Sequence, residues 1–372
     1  MEFDMSTLMI AVFTASACAV AGVLLVLGKM SMMSDAISHT VLLGIVIAYM
    51  FVRDLSSPVL IIGAAAMGVL TVYMVETLVK TKKASEDAAT GAVFPLLFSI
   101  AIIIISLDFR GVHLDTDSVL LGNLEFAALD RLVVGGQDIG PKVLYVVGVV
   151  LLLNIIFFTV FYKELKVTTF DAALAAALGI APAILHYALM SLVSLTAVSA
   201  FDAAGAILVI ALMVGPAVTA LLVTKSLVKT VLAAVGIGIF NSSLGYYIAY
   251  YFDLKIGGVI AGVTLAVFLT VLFFEPKKGI AATIIKRAFL AREFTLIVLI
   301  AHIKNHQTTE KAVKVSTACS ISRDFNWNRK TCGVYIDKAI SKGYIKKQED
   351  MLFLTETGER YIQRKNIQYE LD

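Results

Sequence analysis

The sequence predicts an all-α polytopic membrane protein with about nine transmembrane helices, closed at its C-terminal end by a small α+β domain. Three observations carry this. Of 372 residues, 59% are hydrophobic and only 16% charged, and the mean hydropathy is +0.88, a composition soluble domains rarely reach. The charges gather between apolar runs of roughly 18–22 residues, long enough to cross a ~30 Å hydrocarbon layer. The material then changes at Pro276. From there on 18 Lys and Arg face 10 Asp and Glu, a net +8, whereas the preceding 275 residues carry −5.

Nine runs qualify as spans, at about 7–28, 35–52, 57–78, 90–107, 142–162, 183–201, 203–223, 229–250 and 256–274. The first has no basic flank before it and no cleavage site after it, so it is expected to be a retained helix. Between the fourth and fifth runs lies a mixed segment, 108–141, holding Asp115, Asp117, Glu125, Asp130 and Arg131. Part of it, Val119 to Val134, is expected as an interfacial or re-entrant helix. With nine spans, Lys29, Lys80, Lys82, Lys83, Lys163, Lys166, Lys225 and Lys229 share one side in compact loops. Arg53, Arg110, Arg131, Lys142 and Lys255 take the other. The positive-inside bias puts the N-terminus outside and the tail in the cytoplasm. Cys18, Cys319 and Cys332 offer no disulfide framework, and the tail pair is expected to be reduced.

The chain is therefore divided into a membrane domain, 1–276, a linker, 277–289, and a cytoplasmic domain, 290–372. In the last, helices are expected at 290–306, about 309–317 and 327–342, with Gly343 stopping the third. Tyr344 to Lys347 and Met351 to Leu354 alternate like two short strands. A final helix, Glu356 to Ile367, starts after Thr355 with Glu359 near its cap. Three helices and a β-wing make a winged helix-turn-helix.

Within this frame a few polar residues stand out. Asp35 and His39 are four apart at the head of an apolar run, so a helix places carboxylate and imidazole on one face. Ionisable groups at membrane depth usually mark an ion or substrate path, and an oxygen beside a nitrogen donor suits a divalent first-row metal. The plainer alternative has Asp35 capping a helix that starts at Ala36, with His39 a satisfied core histidine. Met213-Val214-Gly215-Pro216 predicts a break in a span, either a hinge or a tolerated kink. Asp202 is expected in a loop between spans. Asn154 and His186, inside apolar runs, are expected to bond between helices rather than to bind metal. The sequon at Asn241 is buried in a span and is discounted. In the tail, Asn328, Arg329 and Lys330 open the candidate recognition helix and would be the DNA contacts. His302 and His306 are expected on the polar face of helix 290–306. No GxxxxGK[ST] loop occurs, so the chain carries no P-loop for ATP hydrolysis.

Four stretches together resemble the metal-ion family of ABC importer permeases, which import zinc, manganese or iron. They are SDAISHTVLLG (34–44), EDAATGAVFPLLFSIAIIIIS (86–106), TTFDAALAAALGI (168–180) and GAILVIALMVGPAVTALL (205–222). DLKIGG at 253–258 departs from the family's pattern by lacking its proline. The resemblance implies a bacterial cytoplasmic-membrane location and no permanently bound cofactor. It implies a transit site for Mn, Zn or Fe at Asp35 and His39, too few ligands for tight binding, as a conducting site requires. It also implies a coupling helix around Phe170, Asp171 and Gly179 that docks on a separate ATPase pair. Further partners would be a second permease copy or paralogue and an extracytoplasmic metal-binding protein. The tail, through AISKGYIKKQEDMLFLTETGERYI (339–362), resembles metal-dependent repressors of the diphtheria-toxin-regulator type. The leading function is thus a non-enzymatic permease subunit whose tail regulates transport, with nucleic acid a less favoured partner. The alternative is a membrane-anchored, metal-responsive transcription regulator, but some 275 membrane residues exceed what an anchor needs.

Overall fold

The computed structural model describes residues 4–54, 57, 59–108, 124–134, 137–276, 279–307, 321, 324–325, 327–348 and 351–369. The chain divides into two units, Met1–Glu275 and Pro276–Asp372. In the first, the long helices are α1 (Met5–Leu27), α2 (Ser31–Val52), α3 (Val59–Lys80) and α4 (Glu86–Asp108). A four-residue α5 (Leu124–Ala127) and a hairpin, β1 (Arg131–Val134) with β2 (Gln137–Pro141), lead into α6 (Lys142–Val160). Then come α7 (Tyr162–Phe170), α8 (Ala172–Ala177), α9 (Pro182–Val223), α10 (Leu227–Phe252) and α11 (Ile256–Phe274). Among the described residues nine helical segments are long and apolar enough to cross a membrane, α9 supplying two.

The most buried helix is α1, packed against α9, α10 and α6. Lipid tails are as apolar as leucine, so helices in a bilayer associate through close van der Waals contact between small residues. Ala11, Ala15, Ala17, Cys18, Ala19 and Ala21 are all buried along α1. At Gly22 the approach is closest: a Cβ there would lie 2.0 Å from the Met213 carbonyl oxygen of α9. The start of α1 is fixed separately. The Asp4 carboxylate accepts from the Ser6 N–H, and the Tyr246 hydroxyl of α10 donates to the Asp4 carbonyl at 3.0 Å. Helices α2 and α3 meet at Gly44 and Gly63 and are joined by a 2.8 Å bond from Thr71 to Thr40.

Helix α9 runs for 42 residues, more than one crossing needs, and breaks at Gly205, where φ is 74° and ψ 162°. An L side chain is strained at that φ, so glycine marks the corner. The two crossings are Pro182–Phe201 and Ala204–Val223. Asp202 therefore lies within α9 beside its corner, not in a separate loop. The corner falls at the boundary expected between the runs 183–201 and 203–223, whereas Gly215 and Pro216, expected to break the second run, lie in helical backbone. Gly215 instead lets α11 approach, since a Cβ there would meet the Thr264 Cγ2 at 2.3 Å.

The mixed segment also departs from expectation. Its described part is α5 and an antiparallel hairpin with an irregular register at Leu132/Val133, not a helix over 119–134; residues 109–123 lie outside the described residues. An exposed Arg131–Asp138 pair at 2.6 Å closes the hairpin, and that hydrogen bond holds the Asp138 carboxyl below its usual range. Charges paired across strands favour this arrangement over a buried helix, which would desolvate them.

The second unit holds α12 (Ile280–Gln307), α13 (Arg329–Ser341), β3 (Ile345–Gln348), β4 (Met351–Leu354) and α14 (Glu356–Tyr369). The strands pair antiparallel, Ile345 opposite Leu354. Leu296, Leu299, Ile300, Ile303, Cys332, Ile336, Ile345, Leu352 and Ile362 form the core. Burial in it pushes the Cys332 thiol above its ordinary pKa. Gly343, at φ 70°, ends α13, and Thr355 caps α14 by accepting from the Gly358 N–H. Helix α12 begins ten residues earlier than expected, so 280–289 are helix and not linker. The expected helix at 309–317 lies outside the described residues.

The contact at Gly22 gives a direct test. Gly22→Ala should destabilise the bundle by about 1–3 kcal/mol or more, as overpacking does. Gly236→Ala, where a Cβ meets nothing within 4 Å, should be neutral or slightly stabilising. Thermal unfolding of the purified proteins in detergent compares the two; equal melting temperatures would contradict the close approach.

Candidate transit site and coupling surface

Helix α2 starts at Ser31, so Asp35 sits in its second turn and is not the cap that the plainer alternative required. One turn on, His39 brings its Nε2 to 3.4 Å from Asp35 Oδ1. Helical spacing alone produces this meeting. The imidazole is held between two rings of α4, stacked on Phe94 at 5.5 Å and edge-on to Phe98 at 5.7 Å between centroids. On either side of Asp35 the helix is fixed by its neighbours. The Ser34 hydroxyl donates to Met213 Sδ at 3.0 Å, and the Ser38 hydroxyl to the Ser34 carbonyl at 2.8 Å. The Asp35 and His39 side chains remain 38% and 25% exposed, so the pair is accessible and not sealed in the core. Among the described residues no cluster of three or more His, Cys, Asp or Glu is placed to hold a metal. Two donors, one oxygen and one nitrogen, are what this site offers; any further donor comes from water or another molecule.

Helices α7 and α8 meet at Asp171. Its carboxylate accepts from the Leu174 N–H at 2.9 Å, which caps α8, while Phe170 stands exposed before it. Gly179, at φ 81°, ends the element, with the Ile180 N–H bonded to the Ala175 carbonyl at 3.1 Å. Phe170, Leu174 and Leu178 are all exposed. Leu174 and Leu178 are four apart at the end of a short element capped at both ends, and Phe170 precedes its cap.

Sequence reasoning missed Glu76. From α3 it reaches His186 and Tyr187 at the start of α9. Its Oε1 pairs with His186 Nε2, and its Oε2 accepts from the Tyr187 hydroxyl at 2.6 Å and from Lys80 Nζ at 3.2 Å. The signal was present: an acid inside an apolar run, one turn from a lysine. His186 and Asn154 both bond between helices, Asn154 Nδ2 donating to Thr196 Oγ1 at 2.8 Å.

In the tail, the Asn328 side chain accepts from the Lys330 N–H and so caps α13, which begins at Arg329 and not at 327. Lys330 is exposed, and the Arg329 side chain lies outside the described residues. His302 is not on an open polar face. It is mostly buried, 3.3 Å from Asp324 and edge-on to Phe325 at 4.8 Å; the His306 side chain lies outside the described residues.

The fold and these sites define a polytopic α-helical transport protein. Residues 1–275 match the ABC 3 transport family, and the chain belongs to it. It is 37% identical over 355 residues to the zinc transport system membrane protein TroD of Treponema pallidum, covering 95% of this chain and 96% of that one. It is 38% identical to the manganese transport system membrane protein MntD of Bacillus subtilis, over 75% of this chain and 95% of that one. A probable iron transport system membrane protein of Haemophilus influenzae is 30% identical over 75% of this chain and 92% of its own length. The solved PsaBC structure from Streptococcus pneumoniae, in complex with Fab, superposes with a TM-score of 0.62 at 28% identity. It covers 73% of this chain and 92% of that one. The TroD alignment is longer than the first unit, so it extends into the tail.

The Glu76 cluster predicts a stability effect. Glu76→Ala strips His186 and Tyr187 of a shared partner and should lower stability by about 1–2 kcal/mol, the scale of interhelical hydrogen bonds. Lys80→Ala, at the exposed end, should leave the melting temperature unchanged. Thermal unfolding distinguishes the cluster from a set of incidental contacts.

Proposed function

We propose that this chain is the membrane permease of an ATP-driven importer of divalent metal ions, with Asp35 and His39 as the transit site. The observation that carries the reading is the 3.4 Å Asp35–His39 pair on α2 of an ABC 3 family chain. The relatives' names, for zinc, manganese and iron transport, support metal as the cargo. Carboxylate plus imidazole suits all three ions, which are chosen by geometry and supply more than by donor type. Two ligands hold an ion weakly enough to release it. The half-exposed pair leaves room for donors from a second permease copy or paralogue across the site. An extracytoplasmic metal-binding protein would deliver the ion.

The exposed Phe170, Leu174 and Leu178, with Asp171 and Gly179 closing α8, form the surface we assign to the ATPase pair. It is apolar, exposed and short, and a rigid element of that kind transmits a push. Gly215 and Pro216 serve as packing positions against α11 in this reading, and Gly205 is the corner about which α9 can pivot. The tail is read as a winged helix, on its order of helix, hairpin and helix, and as a cytoplasmic regulator of transport. DNA contact through Asn328, Arg329 and Lys330 is disfavoured because the Asn328 oxygen already caps α13. The family match lies in the membrane unit, so transport takes precedence over the anchored-regulator alternative.

Asp35→Ala and His39→Ala should each abolish metal-dependent growth while the amount of membrane-inserted protein stays the same. Radiolabelled Mn²⁺, Zn²⁺ and Fe²⁺ uptake reads this out, and wild-type uptake by both variants would sink the assignment. For the docking surface, Leu174→Cys paired with cysteines on the ATPase should give an oxidative crosslink. Leu174→Glu should cut transport at least tenfold while leaving the ATPase active. No crosslink from any ATPase position would remove the surface from consideration.

A further inference from the structure

The first four turns of α12 have no place in the tail's core. Core packing begins at Leu296, yet the helix starts at Ile280. Every residue from Thr283 to Arg292 is exposed. Among them are large apolar side chains, Ile284 at 61%, Ile285 at 68% and Phe289 at 65% exposure. A contiguous exposed apolar surface of this kind marks an interaction site. The α12 stripe is not continued by the tail's own fold, because the core residues lie further along the helix.

What covers the stripe follows from charge and chain length. Ile280, Ile284, Ala288 and Ala291 follow the helical period, and Ile285 and Phe289 widen the face they make. Arg287 borders it on one side, Arg292 ends it at the C-terminal side of the same face, one turn past Phe289, and Lys286 lies opposite. Between Pro276 and Arg292 the basic residues are Lys277, Lys278, Lys286, Arg287 and Arg292, with no acid. Only five residues separate the helix start from Phe274, the last residue of the final apolar span. Six Cα–Cα steps reach at most ~22 Å, so Ile280 stays beside the membrane surface whichever way the chain turns. Apolar side chains flanked by long basic ones, held at that depth, match an in-plane interfacial helix, whose Lys and Arg stems lie along apolar surface and carry their charge to headgroups. An anionic leaflet attracts each basic residue within a Debye length of its surface.

We propose that residues 280–292 form an interfacial helix that lies on the leaflet at the end of the last span, with Ile284, Ile285 and Phe289 in the acyl boundary. Arg287 and Arg292 reach anionic phosphates beside it. The inference rests on the membrane crossing of the final span. It does not rest on the metal, on the transit site or on the tail's regulatory role.

The test uses the full chain in nanodiscs containing phosphatidylglycerol and phosphatidylcholine, with Cys18, Cys319 and Cys332 replaced by serine. Ile285→Cys, Phe289→Cys and Lys286→Cys are labelled singly with an environment-sensitive fluorophore. Labels at 285 and 289 should be quenched by lipids carrying a spin label near the headgroup and be protected from aqueous iodide at least fivefold relative to 286. The protection should weaken in discs of phosphatidylcholine alone. Equal iodide access at all three positions would overturn the proposal. So would protection that appears only when the purified ATPase is added, since the occupant would then be protein. Metal uptake by the same labelled variants keeps this outcome separate from the transport reading, because loss of uptake with an intact quenching pattern leaves the interfacial helix standing.

Discussion

Three helices meet at Met213, and much of the bundle depends on that meeting. The backbone of α1 at Gly22 lies against the Met213 carbonyl so closely that no side chain fits between them. The Met213 sulfur receives the Ser34 hydroxyl, one residue before Asp35. The most buried helix, the broken helix and the helix carrying the candidate site are thus registered against one residue. In a bilayer such registration comes from contact area and buried hydrogen bonds, because lipid supplies no hydrophobic drive for helices to associate. Small residues along α1 are the means, and the mutual position of α2 and α9 is the consequence.

Polar groups inside the apolar bundle extend the same logic. Thr40, beside His39, is bonded to Thr71 of α3. Five residues further along α3, Glu76 gathers His186 and Tyr187 from the start of α9. That start follows directly after the capped element at Asp171. Each of these links joins two helices by groups that would be costly to leave unpaired in hydrocarbon. The helix that carries the candidate transit site is thus bonded through α3 to the start of α9, which follows the candidate coupling surface in the chain.

The tail is built on different terms. Its core is a small apolar cluster under a hairpin, with aromatic stacking of Trp327 on Phe325 at 4.8 Å and Tyr344 on Tyr361 at 4.4 Å. Here water drives burial, so the apolar residues that stay outside the core are conspicuous. In the bundle an exposed isoleucine is ordinary, since it faces lipid; on α12, among arginines and lysines, it calls for a partner.

The sequence by itself determined the spans, because 20 apolar residues in a row have one low-energy fate in a bilayer. It also determined the Asp35–His39 meeting, since four residues make one helical turn whatever surrounds them, and the helix stop at Gly343 and start at Thr355, where local backbone preferences act alone. Tertiary structure decided the rest. Proline made Gly215–Pro216 look like a break inside the seventh span, yet the backbone there stays helical and Gly215 is needed for contact with Thr264; the corner at Gly205, where φ is positive, falls at the boundary between two runs the sequence already separated. The described part of the mixed segment is a hairpin in which Arg131 and Asp138 pair across strands, and because a seven-residue spacing also fits one face of a helix, the sequence pattern did not separate the two. Glu76 was legible only as an acid near a span end. Its three partners come from two helices and as many as 111 residues away, and separations of that size are fixed by packing, which a single sequence does not display.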